Sequence, residues 1–307
     1  MKAARITGYN AVPMLEDIAV PTPGAGEVLV RVTAASINPL DVKLQRGYMH
    51  QFFPLVFPYT LGTDLAGEIE QVGPQVEEWR PGDKIVARTD PTAGGAFGEY
   101  AVVPAAYLAK PPSTILLDEA AGIPTAAGTA WQGLFETASL TRGQTVLIHA
   151  GAGGVGSFAI QFARNAGARV IATASGDGLD IVRRLGAEKG VDYRSRDFAQ
   201  QVSDVDVVLD TIGGETQQRS YGVLRAGGVL LATSAPPDEA LAKAHNVTAS
   251  FVFHSSEAGR LQRVTEAMDK HGMKVLLDRK TTLRSFDQAF EHQASGRARG
   301  KIIVALR

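Results

Sequence analysis

Cysteine is absent from all 307 residues. That single absence excludes disulfides, thiolate nucleophiles, Cys-ligated zinc and Cys-ligated iron–sulfur clusters. Excess charge is absent too. Thirty-one basic and 32 acidic side chains leave a formal net charge of −1, so neither a nucleic-acid nor a membrane-surface partner is expected. No apolar run approaches the length of a membrane span, and the opening MKAARITGYN has no apolar signal-peptide core; the expectation is a cytoplasmic protein. Histidine is sparse: His50, His149, His245, His254, His271 and His292 show no H-x-x-x-H or similar ligand spacing. Repeats and low-complexity segments are missing. What remains, 45% apolar and 21% charged, is ordinary globular composition, long enough for two domains.

The stretch that organises the chain is Thr145 to Ala166, TVLIHAGAGGVGSFAIQFARNA. Val146-Leu147-Ile148 reads as a buried strand. Gly151-Ala152-Gly153-Gly154-Val155-Gly156 follows at once and fits G-x-G-x-x-G. Val155, Phe158, Ala159, Phe162, Ala163 and Ala166 then lie on one face of a helix. A strand, a glycine turn and a helix start let backbone N–H groups and the helix dipole meet a pyrophosphate with no side chain in the way. A glycine-rich turn without a ligand is the plain alternative. A nucleoside-triphosphate P-loop is excluded, because Ser157 stands where that motif needs lysine.

Before this motif, from Met1 to about Leu117, short strands alternate with turns. Gly26–Val32, Gly67–Val72, Lys84–Ala87 and Glu99–Val103 are the strand candidates, punctuated by Pro21-Thr22-Pro23-Gly24, Gly73-Pro74 and Pro81-Gly82-Asp83. A compact, partly closed β domain is expected. From about Ala120 the rhythm changes. A helix over Pro124–Ala138 leads to the organising strand, and strand-like runs at Val170–Thr173, Gly190–Tyr193, Val205–Leu209, Val229–Thr233 and Val247–Phe253 alternate with helix-like ones, the last of them Glu215–Leu224. Six strands with crossovers make a doubly wound parallel sheet. Helices near Arg260–Lys270 and Arg284–Ala294 and a strand at Lys301–Ala305 complete the chain.

Several motifs in this order carry a resemblance: Gly62-Thr63-Asp64-Leu65-Ala66-Gly67, Val72-Gly73, Pro81-Gly82-Asp83-Lys84, the run Ala150 to Gly156, and Arg299-Gly300-Lys301-Ile302-Ile303-Val304. With them the chain resembles the medium-chain dehydrogenase/reductase superfamily. Ser36-Ile37-Asn38-Pro39-Leu40-Asp41 and Thr125-Ala126-Ala127-Gly128-Thr129-Ala130 are similar to its zinc-free quinone oxidoreductase (zeta-crystallin-like) branch in particular. The resemblance runs from near Met1 to Arg307. It implies an α/β protein with an N-terminal GroES-like, partly closed β-barrel domain, residues 1–120 plus 260–307. A doubly wound parallel-sheet (Rossmann) domain, residues 121–259, is implied to bind NAD(P). It further implies NADPH as cofactor with NADH also usable, no zinc, a small-molecule quinone or enone as substrate, and a homodimer joined through Val247–Phe253.

Zinc-dependent relatives hold their catalytic metal near the position of Ile37-Asn38 with Cys and His, which this chain lacks there. An unactivated alcohol is then a poor substrate, because nothing polarises its oxygen. A quinone or an α,β-unsaturated carbonyl accepts hydride more readily, since conjugation spreads the charge that develops. The resemblance places Asn38 and Tyr48 at the substrate, as hydrogen-bond donors in the loop that holds the acceptor oxygen; the bland readings are an Asn-Pro turn and an exposed loop aromatic. On the cofactor side it places Asp41, Thr125, Thr129, Gly151, Gly153, Gly154, Val155 and Gly156. Ala174 and Ser175 leave room for a 2′-phosphate where an acid would repel it, and Tyr193 matches a tyrosine of that phosphate site. The lysine of that site is replaced by Gly178-Leu179-Asp180; Arg183 or Arg194 could compensate, but each reads first as a solvated surface charge. Thr211, Ser234, Phe251, Val252 and Phe253 lie at or beyond strand ends that face a ligand crevice. Arg299 and Lys301 are read as reaching cofactor phosphates or amide, or else as surface charges. Asp64 is read as a structural hydrogen-bonding residue and His149 as a hydrogen-bonded strand end. The rival function is a non-catalytic NADPH-binding redox sensor or structural protein; a methyltransferase is disfavoured by Ala174-Ser175, where its ribose-binding acid belongs.

Overall fold

The computed structural model describes residues 1–306. The chain forms two compact units, Met1–Thr125 with Ser255–Arg307, and Ala126–His254.

The spine of the first unit is the eleven-residue strand Glu27–Ile37. Its inward residues Val28, Val30 and Val32 meet Leu65, Ile69, Ile85, Val103 and Phe286 in one apolar core. It pairs antiparallel with Asp64–Val72, Tyr100–Pro104 and the terminal strand Lys301–Ala305. Asp64–Val72 in turn pairs with Lys84–Arg88. This register places Ser36 opposite Asp64, and Asp64 opposite Arg88, so three polar residues form a row across three strands. A one-residue slip would turn that row to the other face. A small sheet of Met14–Asp17, Lys2–Ile6 and Tyr59–Thr60 accompanies the barrel, and Leu277–Thr282 runs parallel to the terminal strand. Neither the N-terminal hairpin nor Leu277–Thr282 has a clean alternating pattern; Asp278, Arg279 and Lys280 in the latter are stabilised by pairing and salt links rather than by burial.

Where a loop was expected after Asn38, a helix runs over Pro39–Gln45. Proline at the first helical position has φ preset and no N–H to leave unsatisfied. Asp41 folds back to accept the Asn38 backbone N–H at 2.7 Å, as the third residue of a capping box does.

The second unit is a six-stranded parallel sheet in the order Lys189–Asp192, Arg169–Ala174, Thr145–Ile148, Val205–Asp210, Leu224–Ala232, Thr248–Phe251. The chain winds outward from Thr145–Ile148 in one direction and then returns to its other side. That reversal makes Thr145–Ile148 the topological switch point, and ligands of such sheets bind beyond the carboxyl ends there. Helix Gly154–Asn165 buries Phe158, Ala159, Phe162 and Ala163 of the expected face, but also Ser157, Ile160 and Gln161 around the rest of its circumference. Boundaries moved elsewhere. The helix expected over Pro124–Ala138 is α-helical to Trp131 and then π-helical over Gln132–Thr137. The helix expected through Leu224 stops at Ser220, and Leu224 already pairs in the next strand. The last strand covers four residues, Thr248–Phe251, although the Val252 N–H still reaches the Ala232 carbonyl at 2.8 Å. No helix of the described residues is long and apolar enough to cross a membrane.

Candidate functional site

In the first unit the polar row recruits its neighbours into one buried network. Asp64 is its hub. It accepts from the Asn38 amide Nδ2 at 3.0 Å, from the Thr125 backbone N–H at 3.0 Å and from the Thr125 hydroxyl at 2.6 Å. Lys301 donates from Nζ to Asn38 Oδ1 at 2.6 Å and lies 3.9 Å from the Asp64 carboxylate. Arg88 donates to the Thr125 hydroxyl at 3.1 Å and to that of Ser256 at 3.1 Å. Asn38 is 2% exposed and Lys301 3%. Charges taken out of water persist only when paired and hydrogen-bonded, which is why both cations sit among Asp64 and Asp41. Burial lowers the affinity of Lys301 for its proton, against the pull of Asp64 and Asp41. Burial pushes the Asp41 carboxyl up to about 7; the Asn38 N–H opposes this and Asp64 adds to it. Asp41 Oδ1 is buried without a hydrogen-bond partner among the described residues, as suits a carboxyl that resists ionisation.

In the second unit the turn after Thr145–Ile148 places three glycines under different demands. A Cβ on Gly156 would lie 2.3 Å from the Ala150 carbonyl oxygen and 2.8 Å from the Gly151 Cα. On Gly151 it would lie 2.8 Å from both the Ala172 and Val182 side chains. Those two glycines are required by packing of the turn against its own helix and strands. Gly153 differs. Its backbone, φ −84° and ψ 179°, suits any residue, and a Cβ there would approach only the Ala150 oxygen, at 3.2 Å. A glycine that the fold barely requires, at the N-cap of a helix in a parallel sheet, leaves the space and the bare backbone N–H groups that a pyrophosphate needs. The residues present therefore fit a dinucleotide.

Around this turn, the Thr211 hydroxyl donates to the His149 carbonyl at 3.1 Å. Ser234 Oγ is buried with no partner among the described residues. At the end of the second strand of this winding, the Ser175 hydroxyl is 3.2 Å from the Tyr193 hydroxyl, which is 54% exposed. The fold thus brings Ala174, Ser175 and Tyr193 together. Arg183 is held by Asp180 at 3.1 Å, and the Arg194 backbone N–H by Asp192. His149 closes a different chain of bonds. The Ala150 N–H meets the Thr173 hydroxyl at 3.2 Å, that hydroxyl meets His149 Nδ1 at 3.2 Å, and His149 Nε2 meets Ser220 Oγ at 2.9 Å. Ser220 donates onward to the Thr216 carbonyl, so the ring is a neutral tautomer with Nε2 protonated. Burial drives its pKa down to about 4, with Asp210 opposing.

Several expected placements are corrected. Asn38 and Tyr48 do not share a loop: they bracket the Pro39–Gln45 helix, on the order of 10 Å apart along its axis. Tyr48 is 69% exposed while Asn38 is buried in the network. Of the residues expected at the cofactor, Asp41 through Oδ2, Thr125 through its hydroxyl and Lys301 through Nζ hydrogen-bond within the first unit. The Arg299 backbone N–H is tied to Asp278 at 3.0 Å. Thr129 is buried on its helix, Val252 is buried, and Phe251 and Phe253 are exposed. Arg88 was missed altogether, and Ser36 was read only as part of a motif. The signal for Arg88 was a cation ending the apolar run Ile85-Val86-Ala87, a place where a charge must find a buried partner.

Comparison with known proteins gives the chain its relatives. Residues 24–113 match the alcohol dehydrogenase GroES-like domain and residues 185–304 match a zinc-binding dehydrogenase domain. A chloroplastic quinone oxidoreductase, QR1, of Triphysaria versicolor is 30% identical over 99% of this chain and 98% of its own. The 2-methylene-furan-3-one reductase of Solanum lycopersicum is 32% identical over 99% of this chain and 79% of its own. The solved quinone oxidoreductase of Coxiella burnetii superposes with a TM-score of 0.91 at 28% identity, covering 100% of this chain and 99% of that one. With its GroES-like β domain, its switch-point glycine turn and relatives matched from end to end, the chain is an oxidoreductase that belongs to the medium-chain dehydrogenase/reductase superfamily, in its zinc-free quinone oxidoreductase branch.

Proposed function

We propose that this protein is an NADPH-preferring reductase of quinones or α,β-unsaturated carbonyl compounds, with the second unit taking the dinucleotide and the first the acceptor. The observation that carries the reading is Gly153, a glycine required less by the fold than by an approaching pyrophosphate. A relative named for quinones and another named for an enone support the acceptor class. The bound nicotinamide supplies hydride. The chain's own residues do the rest. The first turn of helix Gly154–Asn165 offers backbone N–H groups to phosphate, while the Gly151 and Gly153 N–H groups hold the turn together by donating to the Thr173 and Ala150 carbonyls; Ser175 with Tyr193 offers two hydroxyls to a 2′-phosphate. Negative charge grows on the acceptor oxygen during reduction, and the second N–H of the Asn38 amide meets it. A donor held in a nearly dry site is worth more than one in water, since it needs no reorganisation as charge develops. Tyr48, Phe52 and Val56, large apolar side chains exposed on the segment after the Pro39–Gln45 helix, form the apolar surface for the acceptor ring. Thr248–Phe251, paired on one side only at the end of its sheet, is the edge through which two copies join.

The test is oxidation of NADPH, followed by its absorbance, with 1,4-benzoquinone and 2-cyclohexenone. Turnover is expected with NADPH ahead of NADH, and deuterium from C4 of the reduced nicotinamide is expected on the β-carbon of the cyclohexanone product. Tight NADPH binding without oxidation by any acceptor would instead establish the non-catalytic binder. A monomer mass by light scattering at micromolar concentration would overturn the pairing of edges.

A further inference from the structure

An asparagine side chain presents an oxygen and a nitrogen that are nearly alike in shape, so its neighbours decide which way it points. Around Asn38 they leave no choice. Lys301 Nζ carries donors only, and it lies 2.6 Å from Oδ1. Asp64 Oδ2 accepts, and it lies 3.0 Å from Nδ2. A flipped amide would set its N–H₂ against an ammonium and its oxygen against a carboxylate, both repulsive in a site where Asn38 is 2% and Lys301 3% exposed. Lys301 reaches this position because the terminal strand runs antiparallel to Glu27–Ile37 with Ile302 opposite Ile37, which brings residue 301 level with residue 38. Its charge is balanced locally by Asp64, 3.9 Å away, with Arg88 and Asp41 buried in the same network.

We propose that Lys301 is the positioning residue of the reduction step: it locks the Asn38 amide so that an N–H faces the acceptor oxygen, and polarises that N–H. The polarisation follows from amide resonance. A cation on the carbonyl oxygen draws electron density out of the nitrogen, and each bond in such a chain strengthens the next. One hydrogen of Nδ2 goes to Asp64; the other is the donor for the oxygen that gains charge. The inference rests on the reading that Asn38 contacts the acceptor, and adds to it a residue that acts only through Asn38.

The experiment compares Lys301→Met, Lys301→Gln and Asn38→Ala, singly and combined, in NADPH oxidation by 2-cyclohexenone. Lys301→Met, of similar length without a donor, is expected to lower kcat 10- to 100-fold with less than threefold change in KM and in the NADPH Kd. Lys301→Gln keeps a donor without the charge and is expected to recover part of that loss. In an Asn38→Ala background, where kcat is expected to fall 10²–10³-fold, neither Lys301 substitution is expected to lower it further. Should Lys301→Met fail to fold, Lys301→Gln carries the same comparison, with a 3- to 10-fold loss that vanishes when Asn38 is already alanine. Wild-type kcat in Asn38→Ala would overturn the Asn38 reading, and the inference with it. A slow Asn38→Ala beside an unimpaired Lys301→Met, or losses that multiply in the double variant, would overturn the role of Lys301 alone.

Discussion

One buried network of the first unit is ionic: Asp41, Asp64, Arg88 and Lys301 share it with Asn38 and Thr125. In the second unit the buried chain of Thr173, His149 and Ser220 is neutral, and the site beside it is made of bare backbone. With the dinucleotide taken by the second unit and the acceptor by the first, as proposed, the difference follows from what each must hold. A dinucleotide brings its own charge, so the second unit needs only N–H groups, space and a rigid turn. An acceptor oxygen that becomes charged during the reaction needs a donor already aimed, and in the first unit fixed charges hold one amide in place. The protein has one tryptophan in each unit, Trp79 and Trp131, so variants retaining a single tryptophan can follow each unit by itself.

The largest effect is expected from removing the anionic hub. Asp64→Leu leaves Lys301 buried beside Asp41, a carboxyl that resists ionisation, and Arg88 with Asp41 and Asp90. Breaking a buried ion pair by removing one partner costs about 3–5 kcal/mol. Urea denaturation followed by Trp79 in a Trp131→Phe background should show that loss, while Trp131 in the complementary background should barely respond. Equal losses at both tryptophans would break the comparison.

The buried titrating groups should next tilt stability in opposite directions. His149 falls from 6.5 to about 4 on folding, so the unfolded chain binds more protons between those values and stability rises with pH across that window. About 2.5 units correspond to about 3 kcal/mol, lost as pH falls from 6.5 toward 4 and absent in His149→Gln. Asp41 rises from 3.8 to about 7, so the folded chain holds the extra proton and its contribution falls as pH rises through that range. Asp41→Asn should remove this decline from the Trp79 signal. A His149 imidazole whose NMR shifts titrate near 6.5 in the folded protein would contradict the neutral network.

A smaller effect separates the glycines. Gly156→Ala forces a Cβ against backbone at 2.3 Å and should cost about 1–3 kcal/mol in the second unit, with loss of NADPH binding. Gly153→Ala should cost less than about 1 kcal/mol, because only one atom at 3.2 Å must yield, yet weaken NADPH at least tenfold. Calorimetry alongside fluorescence titration of NADPH distinguishes the two; equal melting shifts would remove the argument for a ligand at Gly153. Ser175→Asp sets a negative charge beside the Tyr193 hydroxyl and acts on one cofactor only. NADPH affinity should fall about tenfold, about 1.4 kcal/mol, with NADH unchanged. A wild-type protein that binds NADH more tightly than NADPH would overturn the cofactor preference.

Much of this was legible before any coordinates. The alternation of Val28, Val30 and Val32, the strand–glycine–helix sequence at Thr145–Ala166 and the six spaced apolar runs specify a β unit and a doubly wound sheet, because local periodicity follows from which face is buried. The absence of cysteine bounded the chemistry. Tertiary structure alone decided the rest, since pairing register is a long-range property that no window of sequence contains. It set Asp64 between Ser36 and Arg88, turned a presumed loop at Pro39 into a helix separating Asn38 from Tyr48, and drew Lys301 across 263 residues onto Asn38. A lysine in a terminal strand reads as a surface charge until the partner strand is known. Only when Ile302 lies opposite Ile37 does burial oblige that charge to find oxygens, and it hydrogen-bonds that of Asn38 with the Asp64 carboxylate close behind.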